Sequence, residues 1–340
     1  MSERILVVGP AWVGDMVMAQ SLFMTLKTRL PGAEVDVVAP GWSGPLLARM
    51  PEVREALLLP LGHGEFGWAV RRRMGRALRE RGYTQAIVLP RSFKAALVPF
   101  HARVPVRTGY LGEQRWLLLN DVRRLDARAL PQTAQAYVAL GLPRDAALPP
   151  PVPEPRLVVD EANRARLADE HGLRRDAPLA ALAPGAEFGP SKQWPGEYFA
   201  AVALALLEEG WQVIALGSAR DAAAGAALSA AAPGVVDLCG RTRLEDTVDL
   251  LAMARVLVTN DSGLMHIGAA VGSHVVVMYG STPPDKTPPL TAHRDVLWLG
   301  LPCSPCRQRT CPLIHHNCLR QLTPDRVLAA VHAAGRLRRG

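Results

Sequence analysis

Three stretches of this sequence set charged or hydroxyl side chains beside glycines, where a strand would give way to a helix. Gly9-Pro10-Ala11-Trp12-Val13-Gly14-Asp15-Met16 has two glycines five apart, but Asp15 and Met16 stand where a phosphate loop carries its Lys and Ser or Thr. A carboxylate there repels phosphate. An acid in the first turn of a helix, at the carboxyl end of a strand, can instead act as a general base. The plainer alternative is an acid that only stabilises the helix start. Pro184-Gly185-Ala186-Glu187-Phe188-Gly189-Pro190-Ser191-Lys192-Gln193-Trp194-Pro195 follows an apolar strand. Its glycines let backbone amides approach an anion, and Lys192, one of four lysines in the chain, adds a point charge suited to a diphosphate. In Thr259-Asn260-Asp261-Ser262-Gly263-Leu264-Met265-His266 a buried strand turns into a helix whose free amides favour phosphate. Asp261 or Ser262 could equally be the helix cap, and His266 a satisfied interior residue.

Two further clusters carry chemistry. Cys303, Cys306, Cys311 and Cys318, with His315 and His316 before the last, begin with the Cys-x2-Cys spacing of tetrahedral zinc, but the remainder matches no standard finger. A structural zinc or iron-sulfur site, free thiols and a labile disulfide all stay open. Arg71, Arg72, Arg73, Arg76, Arg79 and Arg81 crowd one helical stretch, and Arg91-Ser92-Phe93-Lys94 follows a strand end at Pro90. Guanidinium groups bind phosphate and carboxylate in bidentate fashion, so this region could hold an acidic acceptor, with Arg73, Arg91, Ser92 and Lys94 as candidates. A nucleic-acid partner is not expected, because aromatic residues make up only 5% of the chain and no helix-turn-helix, RNP or KH signature appears.

The elements that must position these residues alternate strand and helix. Arg4 to Gly9, Val35 to Ala39, Ala56 to Pro60 and Ala86 to Pro90 read as strands, with helices at Gly14 to Leu30, Ser43 to Met50 and Ala69 to Arg81. Prolines then crowd Leu148 to Pro155, making a stiff extended linker. Beyond it the pattern restarts: strands at Leu179 to Ala183, Gln212 to Leu216, Val235 to Leu238, Val256 to Thr259 and Val275 to Tyr279 alternate with helices at Gly196 to Glu209, Asp221 to Ala232, Leu244 to Met253 and Gly263 to Val271. This predicts an α/β fold of two doubly wound parallel sheets with ligands at the strand carboxyl ends facing a cleft. The expected boundaries are 1–150, 151–322 and a C-terminal helix, 323–340, that ends in Arg336, Arg338 and Arg339 and could pack back on the N-terminal domain.

Composition narrows the classes. Residues 1–150 hold 20 basic and 12 acidic side chains while residues 151–340 hold 19 of each, so the whole excess of +8 lies in the first part. That asymmetry suggests an anionic partner, such as a membrane surface or a phosphorylated substrate; a solvated arginine-rich helix face is the alternative. No stretch approaches the ~18 apolar residues of a membrane span. Five cysteines do not make a disulfide scaffold, and no secretory signal is evident, so a cytoplasmic protein is expected.

The three glycine-containing motifs, in order and with their spacing, resemble those of the ADP-heptose:lipopolysaccharide heptosyltransferases. Met50-Pro51-Glu52-Val53, Pro60-Leu61-Gly62-His63-Gly64 and Leu118-Leu119-Asn120-Asp121-Val122-Arg123 extend the resemblance over nearly the whole chain, on the side of the members that add the second inner-core heptose. It implies the GT-B fold of two Rossmann-like domains and inverting transfer of heptose from ADP-L-glycero-D-manno-heptose, bound by the second domain, to heptosyl-Kdo2-lipid A at the first. It makes Asp15 the catalytic base and Lys192 the donor-phosphate lysine. The donor set then comprises Gly185, Ala186, Glu187, Lys192, Gly217, Ser218, Asp261, Ser262, Gly263 and His266. With no Asp-x-Asp motif, no cofactor is expected for catalysis, and the cysteines gain no catalytic role. A lipid-borne acceptor implies peripheral contact with the inner face of the cytoplasmic membrane. The competing readings are a family member with a different acceptor, a sugar-nucleotide epimerase of the same architecture, and a non-catalytic nucleotide binder.

Overall fold

The computed structural model describes residues 3–62 and 64–337. The chain divides into two compact units, Met1–Arg156 and Leu157–Gly340. In the first, β1 (Arg4–Val8), β2 (Glu34–Pro40), β3 (Val53–Leu59), β4 (Gln85–Val88), β5 (Val106–Tyr110) and β6 (Asp121–Arg123) form one sheet in the order β3-β2-β1-β4-β5-β6. All its pairs are parallel. Its helices are α1 (Val13–Arg29), α2 (Gly44–Leu47), α3 (Trp68–Ala77), α4 (Leu97–His101) and α5 (Thr133–Leu140). Ile5, Leu6 and Val7 have no exposed surface, because a central parallel strand is covered on both faces; hence the continuous apolar run. Leu6, Val8, Val38 and Val88 pack with Leu78, Ala95, Leu97 and Val98, and α1 lies along α5.

The second unit repeats the topology. Its strands β7 (Leu179–Ala183), β8 (Gln212–Ala215), β9 (Val236–Asp237), β10 (Val256–Asn260), β11 (His274–Met278) and β12 (Arg294–Leu297) pair in parallel in the order β12-β11-β10-β7-β8-β9. The helices are α6 (Glu161–Glu170), α7 (Gly196–Glu208), α8 (Ala222–Ala231), α9 (Leu244–Met253), α10 (Gly263–Ala270), α11 (Asn317–Arg320) and α12 (Pro324–Leu337). Val327, Ala330, Val331 and Ala334 of α12 pack among Leu182, Phe199, Val202, Val258 and Val276, which builds this helix into the core of the second unit. The side chain of Arg336 and the residues Arg338 and Arg339 lie outside the described part, as does His63.

The proline-rich segment has neither helix nor strand. Two buried polar residues of α1 hold it: the Gln20 amide donates to the Arg156 carbonyl at 2.7 Å and accepts from the Arg156 amide at 3.0 Å, and Ser21 Oγ donates to the Pro153 carbonyl at 2.7 Å. The expected boundary at residue 150 therefore falls inside a segment clasped to α1. Among the described residues, no helix is long and apolar enough to cross a membrane. The strands β5, β6 and β12 and the helices α4, α5, α6 and α11 had no expectation. β5 contains Gly109 and an exposed Val106, β6 is three residues long, and α6 is largely polar, so these three show no strong apolar period.

Candidate active site

Each sheet reverses its winding beside its first strand, between β1 and β4 and between β7 and β10. Loops leaving such neighbours part in opposite directions and open a crevice at the strand carboxyl ends, where open parallel sheets bind ligands. The motifs found in the sequence are the loops that follow these strands.

In the first unit, the turn after β1 delivers Asp15 into the first turn of α1, half-buried, while the N-cap residue Trp12 offers no side-chain cap. The positive end of the helix favours a carboxylate there. Asp15 also acts on Tyr137 of α5, whose phenol is held protonated well above its usual range, by burial first and by the Asp15 charge second. Nothing in the sequence pointed to Tyr137. The neighbouring loop after β4 starts where the Leu89 amide donates to the Val8 carbonyl at 3.1 Å. Arg115 pins this loop from below: fully buried, it donates to the carbonyls of Tyr110 (2.6 Å), Ser92 (3.3 Å) and Pro90. Burial lowers its pKa to about 10, so it stays cationic at neutral pH.

The acceptor candidates divide. Arg91, Ser92 and Lys94 come from that one loop, with Arg91 exposed and the Lys94 ammonium donating to the carbonyls of Gly64 and Glu65 at 2.8 and 3.1 Å. Arg73 is exposed on α3. Its neighbour Arg71 is buried and donates to the Phe66 carbonyl at 2.8 Å, so part of the arginine-rich stretch is structural.

In the second unit the donor candidates do come together. Asn260, the last residue of β10, stitches the two switch-point loops. Its Oδ1 accepts from the Trp194 amide at 2.9 Å and its Nδ2 donates to the carbonyls of Pro184 and Gly185 at 2.8 and 3.2 Å. This brings Lys192 Nζ to 2.5 Å from Asp261 Oδ2, a pair with side chains 13% and 7% exposed. Thr282 Oγ1 donates to the same oxygen at 2.5 Å, and the Phe188 ring centre lies 5.0 Å from the ammonium. Ser262 caps α10 by position only. Its side chain makes no cap bond, so the first amides from Gly263 onward are left to water or an anion. His266 is buried one turn on, its pKa lowered to about 4, chiefly by burial, which keeps it neutral.

Gly185, Gly217 and Ser218 converge on a residue that the sequence reading did not pick out, Asp221. Its Oδ2 accepts from both the amide and the hydroxyl of Ser218 at 2.8 Å. A Cβ on Gly185 would fall 2.1 Å from Asp221 Oδ1, and one on Gly217 would fall 2.7 Å from Asp221 Cβ, so both glycines are there for close approach. Glu187 pairs with Arg220, and Ala186 is buried.

The cysteine-rich stretch buttresses this site. Ser191 donates from its amide to the Arg309 carbonyl at 3.1 Å and from its hydroxyl to the Gln308 carbonyl at 2.5 Å, and the Arg309 guanidinium covers the Phe188 ring. All five cysteines are free thiols, and Cys318 is raised by burial and then by the nearby thiols of Cys303, Cys311 and Cys306. Among the described residues, no group of three or more His, Cys, Asp or Glu side chains is arranged to hold a metal ion.

Known proteins match this arrangement. Glycosyltransferase family 9 (heptosyltransferase) matches residues 71–316. The lipopolysaccharide heptosyltransferase 2 of Salmonella typhimurium is 46% identical over 340 residues, covering 97% of this chain and 98% of that protein. Its Escherichia coli counterpart is 45% identical with the same coverage. The solved structure of Escherichia coli ADP-heptose lps heptosyltransferase II superposes with a TM-score of 0.88 at 41% identity, over 99% of this chain and 100% of that one. The two six-stranded parallel sheets are thus those of the GT-B fold. Family match, full-length identity and fold agree, and the chain belongs to glycosyltransferase family 9, the heptosyltransferases of lipopolysaccharide core biosynthesis.

Proposed function

We propose that this enzyme moves L-glycero-D-manno-heptose from ADP-L-glycero-D-manno-heptose to the first heptose of heptosyl-Kdo2-lipid A, with inversion. The observation that carries the donor half is the pairing of Lys192 with Asp261 beside the uncapped start of α10. An ammonium and free helix amides at one switch point suit a diphosphate whose negative charge grows as the glycosidic bond breaks. Lys192 and the amides from Gly263 onward stabilise that leaving group, with Gly185, Ala186, Glu187, Gly217, Ser218, Ser262 and His266 shaping the rest of the donor site. His266 is neutral and contributes a hydrogen bond rather than a charge.

Asp15 takes the proton of the attacking heptose hydroxyl as its oxygen bonds the anomeric carbon on the face opposite ADP. A carboxylate is a weak base toward an alcohol in the ground state, but the hydroxyl acidifies as the new bond forms. Arg91, Ser92, Lys94 and Arg73 bind the anionic acceptor. The protein works at the inner face of the cytoplasmic membrane by peripheral contact. Catalysis draws on no cofactor, and Cys303, Cys306, Cys311 and Cys318 are free thiols or a structural zinc or iron-sulfur site without a catalytic part. The absence of stoichiometric metal in protein purified under reducing conditions would remove the metal reading.

The deciding experiment measures ADP release from ADP-heptose with Kdo2-lipid A, with heptosyl-Kdo2-lipid A and without acceptor. Release only with the heptosylated acceptor is expected. Release with Kdo2-lipid A reassigns the acceptor, and release without any acceptor favours an epimerase-like reaction. Asp15→Asn is expected to keep ADP affinity while losing at least a hundredfold in turnover, about 2.7 kcal/mol. Residual activity within about tenfold of wild type, ~1.4 kcal/mol, would falsify the general-base role.

A further inference from the structure

The first unit carries an exposed aromatic stack set among arginines, apart from the strand ends. Phe66, Trp68 and Phe100 are 49%, 46% and 38% exposed. Phe66 lies parallel to both Trp68 and Phe93, with 6.4 Å between ring centres in each pair. Trp68 meets His101 edge-on at 5.3 Å, and His101 meets Phe100 at 5.4 Å. Single exposed apolar residues need no explanation; neighbouring exposed rings mark an interaction surface.

The charges around the stack are predominantly basic. Arg72, Arg76 and Arg79 lie near enough to His101 to add to the lowering of its pKa by burial, and Arg103, Arg76 and Arg72 act likewise on Arg79. All four arginines are exposed. Among the described residues, none of the four has an ion-pair partner; Arg79 donates instead to the His101 carbonyl at 2.9 Å. The acids near the stack, Glu65, Glu80 and Glu113, which accepts from the Phe93 amide at 2.7 Å, are outnumbered by the four arginines. Like charges gathered this closely repel one another, and an external anion relieves them.

We propose that this face docks on an anionic bilayer, with Phe66, Trp68 and Phe100 at headgroup depth and Arg72, Arg76 and Arg79 on lipid phosphates. Aromatic rings beside guanidinium groups are the composition of interfacial membrane contacts. A single-stranded nucleic acid would need free ring faces, yet Phe66 is already stacked with both Trp68 and Phe93. The stack is also continuous with the acceptor loop, since Phe93 belongs to both and Lys94 bonds the carbonyls of Gly64 and Glu65. A bilayer held there keeps a lipid-borne acceptor beside Arg91 and Lys94. The inference rests on the transferase reading only for that last consequence.

The test is co-sedimentation of the full chain with vesicles of phosphatidylethanolamine and phosphatidylglycerol, against vesicles of phosphatidylcholine alone. Wild type is expected to bind the anionic vesicles, less so as salt is added. Reversing two charges in Arg72→Glu/Arg76→Glu is expected to cut binding at least about tenfold. Trp68→Ser/Phe100→Ser is expected to weaken it as well, with ADP release on a deacylated, water-soluble acceptor unchanged in both variants. Equal binding by wild type and the charge-reversed protein, absence of binding to anionic vesicles, or binding of a single-stranded RNA in their place would overturn the proposal. Failure of ADP release with every acceptor would strike the transferase reading and leave the vesicle result standing.

Discussion

Lys192 shares Asp261 Oδ2 with Thr282 Oγ1, and its ammonium also faces the Phe188 ring. The lysine is thus oriented before a diphosphate arrives, so less side-chain entropy is lost on binding. Removing one member of a largely buried ion pair leaves the other charge uncompensated, at a cost of about 3 to 5 kcal/mol. Lys192→Ala is therefore expected both to lower the melting temperature and to weaken ADP binding by about ten- to a hundredfold, as charge-assisted hydrogen bonds are worth about 1.5 to 3 kcal/mol. Calorimetric titration with ADP checks this, and unchanged affinity would show a merely structural lysine. His266 makes a prediction in pH. Its pKa is about 4 when folded and near 6.5 when unfolded. The unfolded chain binds the extra proton, so this contribution is complete above about pH 6.5 and is lost as pH falls toward about 4. The full effect is about 3 kcal/mol. Urea unfolding of wild type and His266→Gln between these limits should show a shallower acid loss in the variant.

At the scale of elements, the site depends on what lies behind each loop. Asn260 ties the loop after β7 to the end of β10, Arg115 ties the loop after β4 to the end of β5, and Ser191 ties the donor loop to the cysteine-rich stretch. None of these buttresses was visible in the sequence, since their partners are mostly backbone carbonyls far along the chain. Helix α1 does two jobs, presenting Asp15 at its start and clasping the linker through Gln20 and Ser21. Gln20→Leu would leave the peptide at Arg156 without its two partners, at a cost of about 1 to 3 kcal/mol. Denaturant unfolding is expected to register that loss, and hydrogen exchange is expected to show faster opening of residues 153–156. Protection equal to wild type would mean that the clasp does not hold the linker.

At the scale of the molecule, one winding pattern is used twice, with an acid at the first switch point and an ion-paired lysine at the second. The charge follows this division, as the excess of basic residues lies wholly in residues 1–150. ADP is expected to slow hydrogen exchange at 184–195, 216–221, 259–266 and 281–282, segments separated in sequence but joined by the bonds of Asn260 and Asp261 and by the close approach of Asp221 to Gly185. Unaltered exchange at all four segments at saturating ADP would remove the donor assignment. Much of this plan was legible from residue order alone. Central parallel strands are buried on both faces and read as continuous apolar runs, so β1, β7, β10 and β11 were found within a residue or two, and the glycine-bearing turns after β1, β7 and β10 with them. The short or polar elements β5, β6, β12 and α6 were not, because their side chains reflect edge positions and neighbours supplied by the fold. Local sequence determined the strand-turn-helix units and the chemistry offered at their ends. Only tertiary structure decided that Lys192 and Thr282 both meet Asp261, that Gly185 closes on Asp221, and that Arg115 is a buried brace. The pairings with Asp261 and Asp221 join residues 21 to 69 positions apart, and packing, rather than any local preference, chooses which form.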